Sequence, residues 1–442
     1  GRLVLASPEP KEGEDAAPPM VVDWLRFMRF DRAAHEAVFN GDVEFTQEGR
    51  MIQCQTLTVQ FDESNRNLVE CRAEEEVHVR GAIEGIGSVE ASGDSENAPQ
   101  EIIGSSREMI LNPEKQTVVF AGDAALTTGD RTIRGERIVM DQREESLRVE
   151  GTGSLESAPA TEGDEPMRVA WQGEMAFDHR TGEAVFRRGV SLSQAGRSLE
   201  ADTVSAELAE ENRLRSLRAR GNAVMQEQPE KEGDEPRQVR ADSLEVRLNE
   251  KNEFERLEAT GDAEMRDGSG LARGDRMIVT DAGQTVRMTG PGSMDSVGES
   301  DEGQPQRITV SWTGDMEFRR ESGEVVFRRD VALSQNERTL RADRVVATLS
   351  DENELQRVVA TGDATFEESG REARGERLEY DAQTEAGLLS GEPAVLQQGT
   401  ERVFGSTIAF GAGAEEVRVT SDYRVEAIIV GSGEADISTI LP

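Results

Sequence analysis

A 24-residue stretch occurs twice in this chain with few changes, first as WQGEMAFDHRTGEAVFRRGVSLSQ (171–194) and again as WTGDMEFRRESGEVVFRRDVALSQ (312–335). Both copies open with Trp-x-x-x-Met-x-Phe, and the same pattern begins at Trp24, so all three tryptophans of the chain lie in matching places. The pattern predicts three copies of a large repeat unit, over residues 21–165, 166–306 and 307–442. A disordered or truncated N-terminal segment is expected over residues 1–20.

Apolar side chains alternate with polar ones through each repeat. The alternation is clearest in ADTVSAEL (201–208), ADSLEVRL (241–248) and ADRVVATL (342–349), and CQTLTVQF (54–61) follows them loosely. Residues two apart share one face of a β-strand, and the spacing of three and four that is typical of a helix is nowhere sustained. One apolar and one polar face predict an all-β fold, with antiparallel sheets enclosing an elongated core. At about 10 residues for each strand and turn, the chain would hold about 44 strands.

The apolar residues at these alternate positions are expected to face the interior. They are Trp24, Met28, Phe39, Val43, Leu57 and Val59 in the first repeat; Trp171, Met175, Phe186, Val190, Leu192, Val204, Ala206, Leu208, Leu244 and Val246 in the second; and Trp312, Met316, Phe327, Val331, Val345 and Ala347 in the third. Ala206 and Ala347 stand where sister copies have Val59 and Val246, which predicts spare room along the interior.

Three glycines, Gly221, Gly261 and Gly362, follow the Ala-Asp pairs at one fixed distance, and each opens a short alternating run. Such a glycine indicates a kink in a strand, and the Asp or Asn after it indicates a solvated side chain. The Asp of each Ala-Asp pair is expected in a turn before a strand. A calcium-binding β-roll needs a nine-residue tandem G-G-x-G-x-D-x-U-x, which this sequence does not contain, so no metal site is expected.

Composition narrows the classes of function. The chain has 442 residues, only 4% aromatic residues and a formal net charge of −38. Few aromatic residues suit a narrow core better than one large globular core. A strongly negative surface repels phosphate backbones and anionic membrane faces, so no nucleic-acid partner is expected.

Residues that could carry catalysis are sparse. The histidines are His35 and His179, expected in turns, and His78, expected on a strand, and none has a Ser, Cys or second His at motif spacing. No enzyme activity and no cofactor are therefore expected. Cys54 and Cys71 are either two small apolar strand residues or a disulfide, and the sequence leaves both alternatives open.

Three longer stretches share one template of a small residue, an acid, alternating apolar residues, a polar turn, and Gly followed by Asp or Asn. They are ADTVSAELAEENRLRSLRARGNAVM (201–225), ADSLEVRLNEKNEFERLEATGDAEM (241–265) and ADRVVATLSDENELQRVVATGDATF (342–366), and RGERLEYDAQTEAGLLSGEPAVL (374–396) continues the pattern. The template resembles the OstA-like family, which comprises the lipopolysaccharide-transport proteins LptA and LptC and the N-terminal domain of LptD. The resemblance covers most of residues 21–430.

The resemblance implies an elongated open β-jellyroll, in which two antiparallel sheets fold like a taco around a hydrophobic slot. The slot would shield the acyl chains of lipopolysaccharide or a similar lipid in the periplasm, and the inward-facing residues above would line it. The resemblance further implies other OstA-like transport proteins as partners, joined by stacking of sheet edges. Because the chain begins at Gly1 rather than Met, the true N-terminus is inferred to lie upstream. A single membrane helix there would point to an LptC-like anchor in the inner membrane, and a cleavable signal would point to a soluble LptA-like bridge, and the sequence leaves both open.

Two other functions remain open at this point. A structural or adhesive surface protein would have a β-solenoid core filled completely by side chains. A carbohydrate-active β-helix enzyme would have a surface cleft with clustered aromatic and acidic residues, which the low aromatic content disfavours. The packing of the interior distinguishes the first alternative from a lipid carrier.

Overall fold

The structure is a computed structural model that describes residues 1–5, 19–47, 49–63, 67–82, 101–158, 165–209, 214–229, 236–249, 254–268, 270–299, 305–350, 355–384, 386–410, 418–421 and 426–428. Within these ranges the chain is built from antiparallel β-strands, with one short 3₁₀ turn at Asp281–Gly283. The all-β antiparallel fold predicted from the alternation is confirmed. Two compact units are formed, one by residues 1–227 and 245–253 and the other by residues 228–244 and 254–442.

The first unit holds strands β1 to β15: β1 (Arg2–Leu5), β2 (Met20–Asp23), β3 (Phe27–Asp31), β4 (Glu36–Gln47), β5 (Arg50–Phe61), β6 (Leu68–Ala82), β7 (Glu101–Asn112), β8 (Thr117–Thr128), β9 (Arg131–Asp141), β10 (Ser146–Ser157), β11 (Met167–Trp171), β12 (Glu174–Asp178), β13 (Glu183–Gln194), β14 (Arg197–Leu208) and β15 (Leu214–Glu227). From β4 to β10, each strand pairs with the next in the chain. Residues of β16 (Arg237–Leu248) are divided between the two units.

The second unit holds strands β17 to β29: β17 (Phe254–Asp267), β18 (Gly270–Thr280), β19 (Thr285–Glu299), β20 (Pro305–Trp312), β21 (Asp315–Arg319), β22 (Glu324–Gln335), β23 (Arg338–Leu349), β24 (Leu355–Glu368), β25 (Arg371–Asp381), β26 (Ala386–Gln398), β27 (Glu401–Phe410), β28 (Arg418–Thr420) and β29 (Glu426–Ile428). It repeats the pairing of consecutive antiparallel strands. The division into three sequence repeats stays a prediction.

Many long strands bend at an internal glycine, as the sequence predicted. In β15, Gly221 has φ +78° and Asn222 has φ +49°, and the register between β14 and β15 shifts at this point. Two consecutive residues with positive φ break the pleat and turn the strand. Because the strand continues beyond the bend, two short predicted strands are one long strand. The expectation of about 44 strands was therefore wrong, and the described residues form 29.

The acid of the Ala-Asp pairs is placed differently from the expectation. Asp202 lies in the middle of β14, not in a turn before it, and faces the bend of the neighbouring strand. Its carboxylate accepts a hydrogen bond from Nδ2 of Asn222 at 3.1 Å, and a Cβ added to Gly221 would collide with it. The Asp and the Gly are therefore separated by a constant number of residues because they lie opposite each other on two consecutive antiparallel strands. Asp242 and Gly261, and Asp343 and Gly362, make the same contact.

We expect Gly221→Ala to cost more stability than an alanine at an equally strained but open glycine. Gly49 has φ +75° with no atom within 4 Å of an added Cβ. Gly49→Ala should therefore lower the free energy of unfolding only by the strain of a left-handed backbone, about 1 to 2 kcal/mol. Gly221→Ala adds the collision with Asp202, and we expect a total of about 3 kcal/mol. Urea unfolding of both variants measures the difference, and equal losses would show that the contact with Asp202 is unimportant.

The Trp-x-x-x-Met-x-Phe pattern forms a strand with one interruption. β11 ends at Trp171, and β12 begins after Gln172 and Gly173, while both strands pair with β10 on one side and β13 on the other. The indole of Trp171 is buried against Gly153, where a Cβ would collide with the ring, and its centroid lies 5.4 Å from that of Phe186. Glycine at position 153 therefore makes room for the indole.

Trp312 repeats this arrangement in the second unit, buried over Gly292 and 5.4 Å from the ring of Phe327. The sequence predicted like environments for all three tryptophans, and Trp171 and Trp312 have them. Their indole nitrogens share a further property, because both are buried without a hydrogen-bond partner in the described structure.

Trp24 keeps the same neighbours but is less buried. It packs over Gly1 and 5.2 Å from the ring of Phe39, yet it is only half-buried. Met28 is 36% exposed, whereas its counterpart Met175 is 3% exposed. The reason is pairing: β12 lies between β10 and β13, but β3 pairs only with β4 in the described structure.

The N-terminal segment also differs from the expectation in part. Arg2–Leu5 form β1, which pairs with β2 in an antiparallel register, so these residues are neither disordered nor a loose tail. Residues 6–18 of the segment lie outside the described residues.

Cys54 and Cys71 are free thiols, and both are buried. Burial raises the pKa of each thiol to about 12. The sequence left open either a disulfide or two small apolar strand residues, and the structure shows the second alternative. Thiols with pKa values so high carry little thiolate at neutral pH and are inert structural residues.

Candidate functional site

The first unit encloses an apolar cavity of about 150 Å³, or about 890 Å³ when the cleft open to solvent is included. Because the cavity opens to solvent, part of its apolar lining remains in contact with water. Its lining residues are Ile102, Leu126, Thr128, Asp130, Arg131, Ile133, Met140, Leu147, Leu155, Met175, Phe177, His179, Ala184, Phe186 and Leu208.

The bends in the strands give this cavity its two walls. Leu147 and Leu155 both line it, and they lie on either side of the bend at Gly151 (φ +79°) in β10. In β9, Ile133 and Met140 also lie on either side of the register shift opposite that bend. Both halves of each strand thus contribute apolar side chains to one cavity, as a sheet folded around a slot requires.

The polar lining residues lie where strands end. Thr128 ends β8, Asp130 follows it in the turn, and Arg131 begins β9. His179 follows the last residue of β12. The antiparallel registers place Thr128, Asp130 and Arg131 at one end of these strands and His179 at the other end. The apolar lining therefore lies between two polar rims.

A tight turn holds His179 in place. Asp178 Oδ1 accepts hydrogen bonds from the backbone N–H groups of Arg180 at 2.9 Å and Thr181 at 3.1 Å, and these bonds lower the pKa of Asp178. The backbone N–H of His179 donates to the carbonyl oxygen of Glu145 at 3.0 Å. Its imidazole packs edge-on against Phe177, with ring centroids 4.4 Å apart.

Desolvation lowers the pKa of the half-buried His179, while Glu145 and Asp178 partly oppose the shift. A histidine with a lowered pKa in the folded state binds a proton less readily than in the unfolded state. We therefore expect the contribution of His179 to stability to be complete above the ordinary pKa of about 6.5 and to fall as the pH drops below it.

Imidazole proton shifts followed by NMR across the pH range test this expectation. The native chain should have a lower denaturation midpoint at about pH 5.5 than at about pH 7.5, and this difference should be smaller in His179→Gln. A titration of His179 at or above the ordinary range would contradict the role of desolvation.

Among the 22 residues predicted to line an interior slot, three line this cavity: Met175, Phe186 and Leu208. Most of the others are buried, while Trp24, Val59, Leu192, Ala206 and Val246 are half-buried and Met28 is exposed. The register pairs Ala184 with Ala206 across β13 and β14, and Val325 with Ala347 across β22 and β23. A role of these residues in lining a slot stays a prediction.

Sequence reasoning missed most of the cavity lining. Ile102, Leu126, Ile133 and Met140 lie on β7 to β9, and none of them was among the residues predicted to line the interior. The same alternation marks these strands and could have identified their inward face. His179 was interpreted correctly as a turn residue, but nothing in its sequence neighbours places it at a cavity.

Two further structural findings concern the described residues only. They contain no helix with the length and apolarity needed to cross a membrane. They also contain no group of three or more His, Cys, Asp or Glu side chains arranged to hold a metal ion.

Comparison with solved structures finds 16 matching chains. One is LptH from Pseudomonas aeruginosa, described as the LptA-homologous periplasmic component of the lipopolysaccharide transport device. It is 17% identical to this chain, over 30% of this chain and 82% of its own, with a TM-score of 0.24. Among the curated proteins, none matches this chain.

The family model for the LptA/(LptD N-terminal domain) LPS transport proteins matches three segments, residues 28–146, 235–315 and 312–415. Together these segments cover well over half of the sequence, and they include strands of both units. The chain therefore belongs to the LptA/LptD N-terminal domain family of lipopolysaccharide transport proteins.

Proposed function

We propose that this chain is a non-catalytic carrier or bridge that shields acyl chains of lipopolysaccharide between the two walls of its bent strands. The observation that carries the proposal is the apolar cavity in the first unit, which is open to solvent and lined from both sides of the strand bends. A filled solenoid core, as in a structural surface protein, would leave no such space. Shielding of this kind needs no bond to be made or broken, so no reaction is proposed.

The character of the lining supports an acyl chain as the ligand. Eleven of the fifteen lining residues are apolar, and several of them, including Ile133, Leu155 and Phe177, are only half-buried. A bound chain would remove their remaining apolar surface from water. Each buried CH₂ group contributes about 0.8 kcal/mol, so a few methylenes suffice for measurable affinity.

The proposed location is the periplasm, where lipopolysaccharide must cross an aqueous space. Family membership supports this location, and so does the acidic surface, which disfavours adsorption to anionic membranes. A freely soluble or a membrane-anchored carrier would use the same cavity.

We propose other OstA-like transport proteins as partners, joined at sheet edges. The outer edge of β3 supports this proposal, because Phe27, Met28 and Phe30 are exposed there and β3 pairs only with β4 among the described residues. At the equivalent position in the second repeat, β10 covers β12. A strand from a partner would bury Met28 as Met175 is buried, and would satisfy the open backbone groups of the edge.

Displacement of a fluorescent acyl probe tests the carrier function. The probe should brighten on binding to the purified chain, and lipopolysaccharide should displace it at a stoichiometry of about one site in the first unit. A folded chain that does not bind the probe, or from which lipopolysaccharide does not displace it, would contradict the proposed function.

A further inference from the structure

The cavity in the first unit has an uneven distribution of charge. Four of its fifteen lining residues are polar, namely Thr128, Asp130, Arg131 and His179, and all four lie at strand ends. An apolar interior that ends in polar side chains matches a molecule with an apolar tail and a polar head. The arrangement therefore contains information about the head group as well as about the acyl chain.

Arg131 has hydrogen-bonding capacity to spare. Its contact with Asp130 is 3.9 Å long, which is an ion pair but not a hydrogen bond, and its guanidinium has no other side-chain partner within the described structure. By contrast, Arg137 lies 3.1 Å from Glu150 on the outer surface. The carboxylate of Asp130 is itself engaged, since Oγ of Ser157 donates to it at 3.3 Å.

We propose that Arg131 is the head-group residue of this cavity and binds the phosphate or carboxylate of an amphiphile whose acyl chain lies between the walls. This inference rests on the proposed function and adds the chemistry of the ligand's head group. The planar guanidinium presents paired N–H donors that match two oxygens of such an anion. The net charge of −38 opposes the binding of an anion only weakly, because salt screens the exposed carboxylates that lie more than about 10 Å from the guanidinium.

His179 adds a second donor on the opposite rim. It is half-buried against Phe177, and the carboxylates nearest to it are those of Asp178, which is engaged by turn N–H groups, and Glu145. Arg131 carries the selectivity for charge.

Calorimetric titration of the full chain with decyl phosphate and with 1-decanol tests the proposal. We expect decyl phosphate to bind about tenfold more tightly than decanol, which corresponds to about 1.4 kcal/mol. Arg131→Gln should remove this preference, chiefly by weakening the binding of decyl phosphate. Arg131→Lys keeps the positive charge and should retain part of the preference.

Arg148→Gln is the matched control, because Arg148 is exposed on the outer face of β10 and its loss changes the net charge equally. The proposal is overturned if the two probes bind the native chain equally, or if the Arg131 and Arg148 variants lose the preference to the same extent. Displacement of decyl phosphate by inorganic phosphate would also overturn it, since the rim would then bind a free ion. If decanol and decyl phosphate both fail to bind, the proposed function itself fails.

Discussion

Replacement of Trp171 by alanine is expected to cost about 3 to 5 kcal/mol of folding free energy. The indole is 1% exposed, packs over Gly153 and lies 5.4 Å from the ring of Phe186. Removing it leaves a void beside a glycine that offers no side chain to fill it. In a repeat architecture the damage should remain local, so hydrogen exchange should speed up in β10 to β13 more than in distant strands.

Trp24→Ala is the matched control for this loss. Trp24 holds the same position in the motif and contacts the equivalent glycine, but it is only half-buried. We expect its replacement to cost roughly half as much, because less apolar surface returns to water. Equal costs for the two variants, or uniform loss of protection from β4 to β13, would contradict the packing described for Trp171.

The second large effect concerns ligand binding. Ala184 is buried and lines the cavity, and the third repeat has Val325 at the corresponding position. We expect Ala184→Phe to fill part of the cavity and to displace about three methylenes of a bound acyl chain. At about 0.8 kcal/mol for each methylene, the affinity should fall by about 50-fold.

Val185→Phe is the control for Ala184→Phe, since Val185 is the next residue of β13 and points to the opposite face. It adds the same ring outside the cavity and should leave acyl binding unchanged. Circular dichroism and the unfolding midpoint show whether either ring disturbs the fold. If a folded Ala184→Phe variant binds acyl chains as tightly as the native chain, the cavity is not the acyl-binding site.

The sequence predicted local features of the fold well. Alternation identified the strands, and glycines such as Gly221 identified the bends, because positive φ strongly favours that residue. Strand length was underestimated, since a bend looks like a turn when only the sequence is read. The acid at Asp202 was assigned to a turn for the same reason, although it lies opposite a bend on the neighbouring strand.

The cavity could not be predicted to the same extent. Leu147 and Leu155 belong to one strand, and only the bend at Gly151 brings them to a common space. Their meeting depends on the angle of the bend and on the volumes of the side chains between the walls, which alternation does not encode. Likewise, Trp24 and Trp171 have the same motif, but the number of paired neighbouring strands determines how deeply each motif is buried.

Photo-crosslinking at two adjacent residues of β14 tests the central claim most directly. Leu208 lines the cavity, whereas Glu207 is exposed on the opposite face of the same strand. A photoreactive residue at position 208 should label bound lipopolysaccharide, and the same residue at position 207 should not. Equal labelling at both positions, or no labelling at position 208 in a folded chain supplied with lipopolysaccharide, would contradict transport through this cavity.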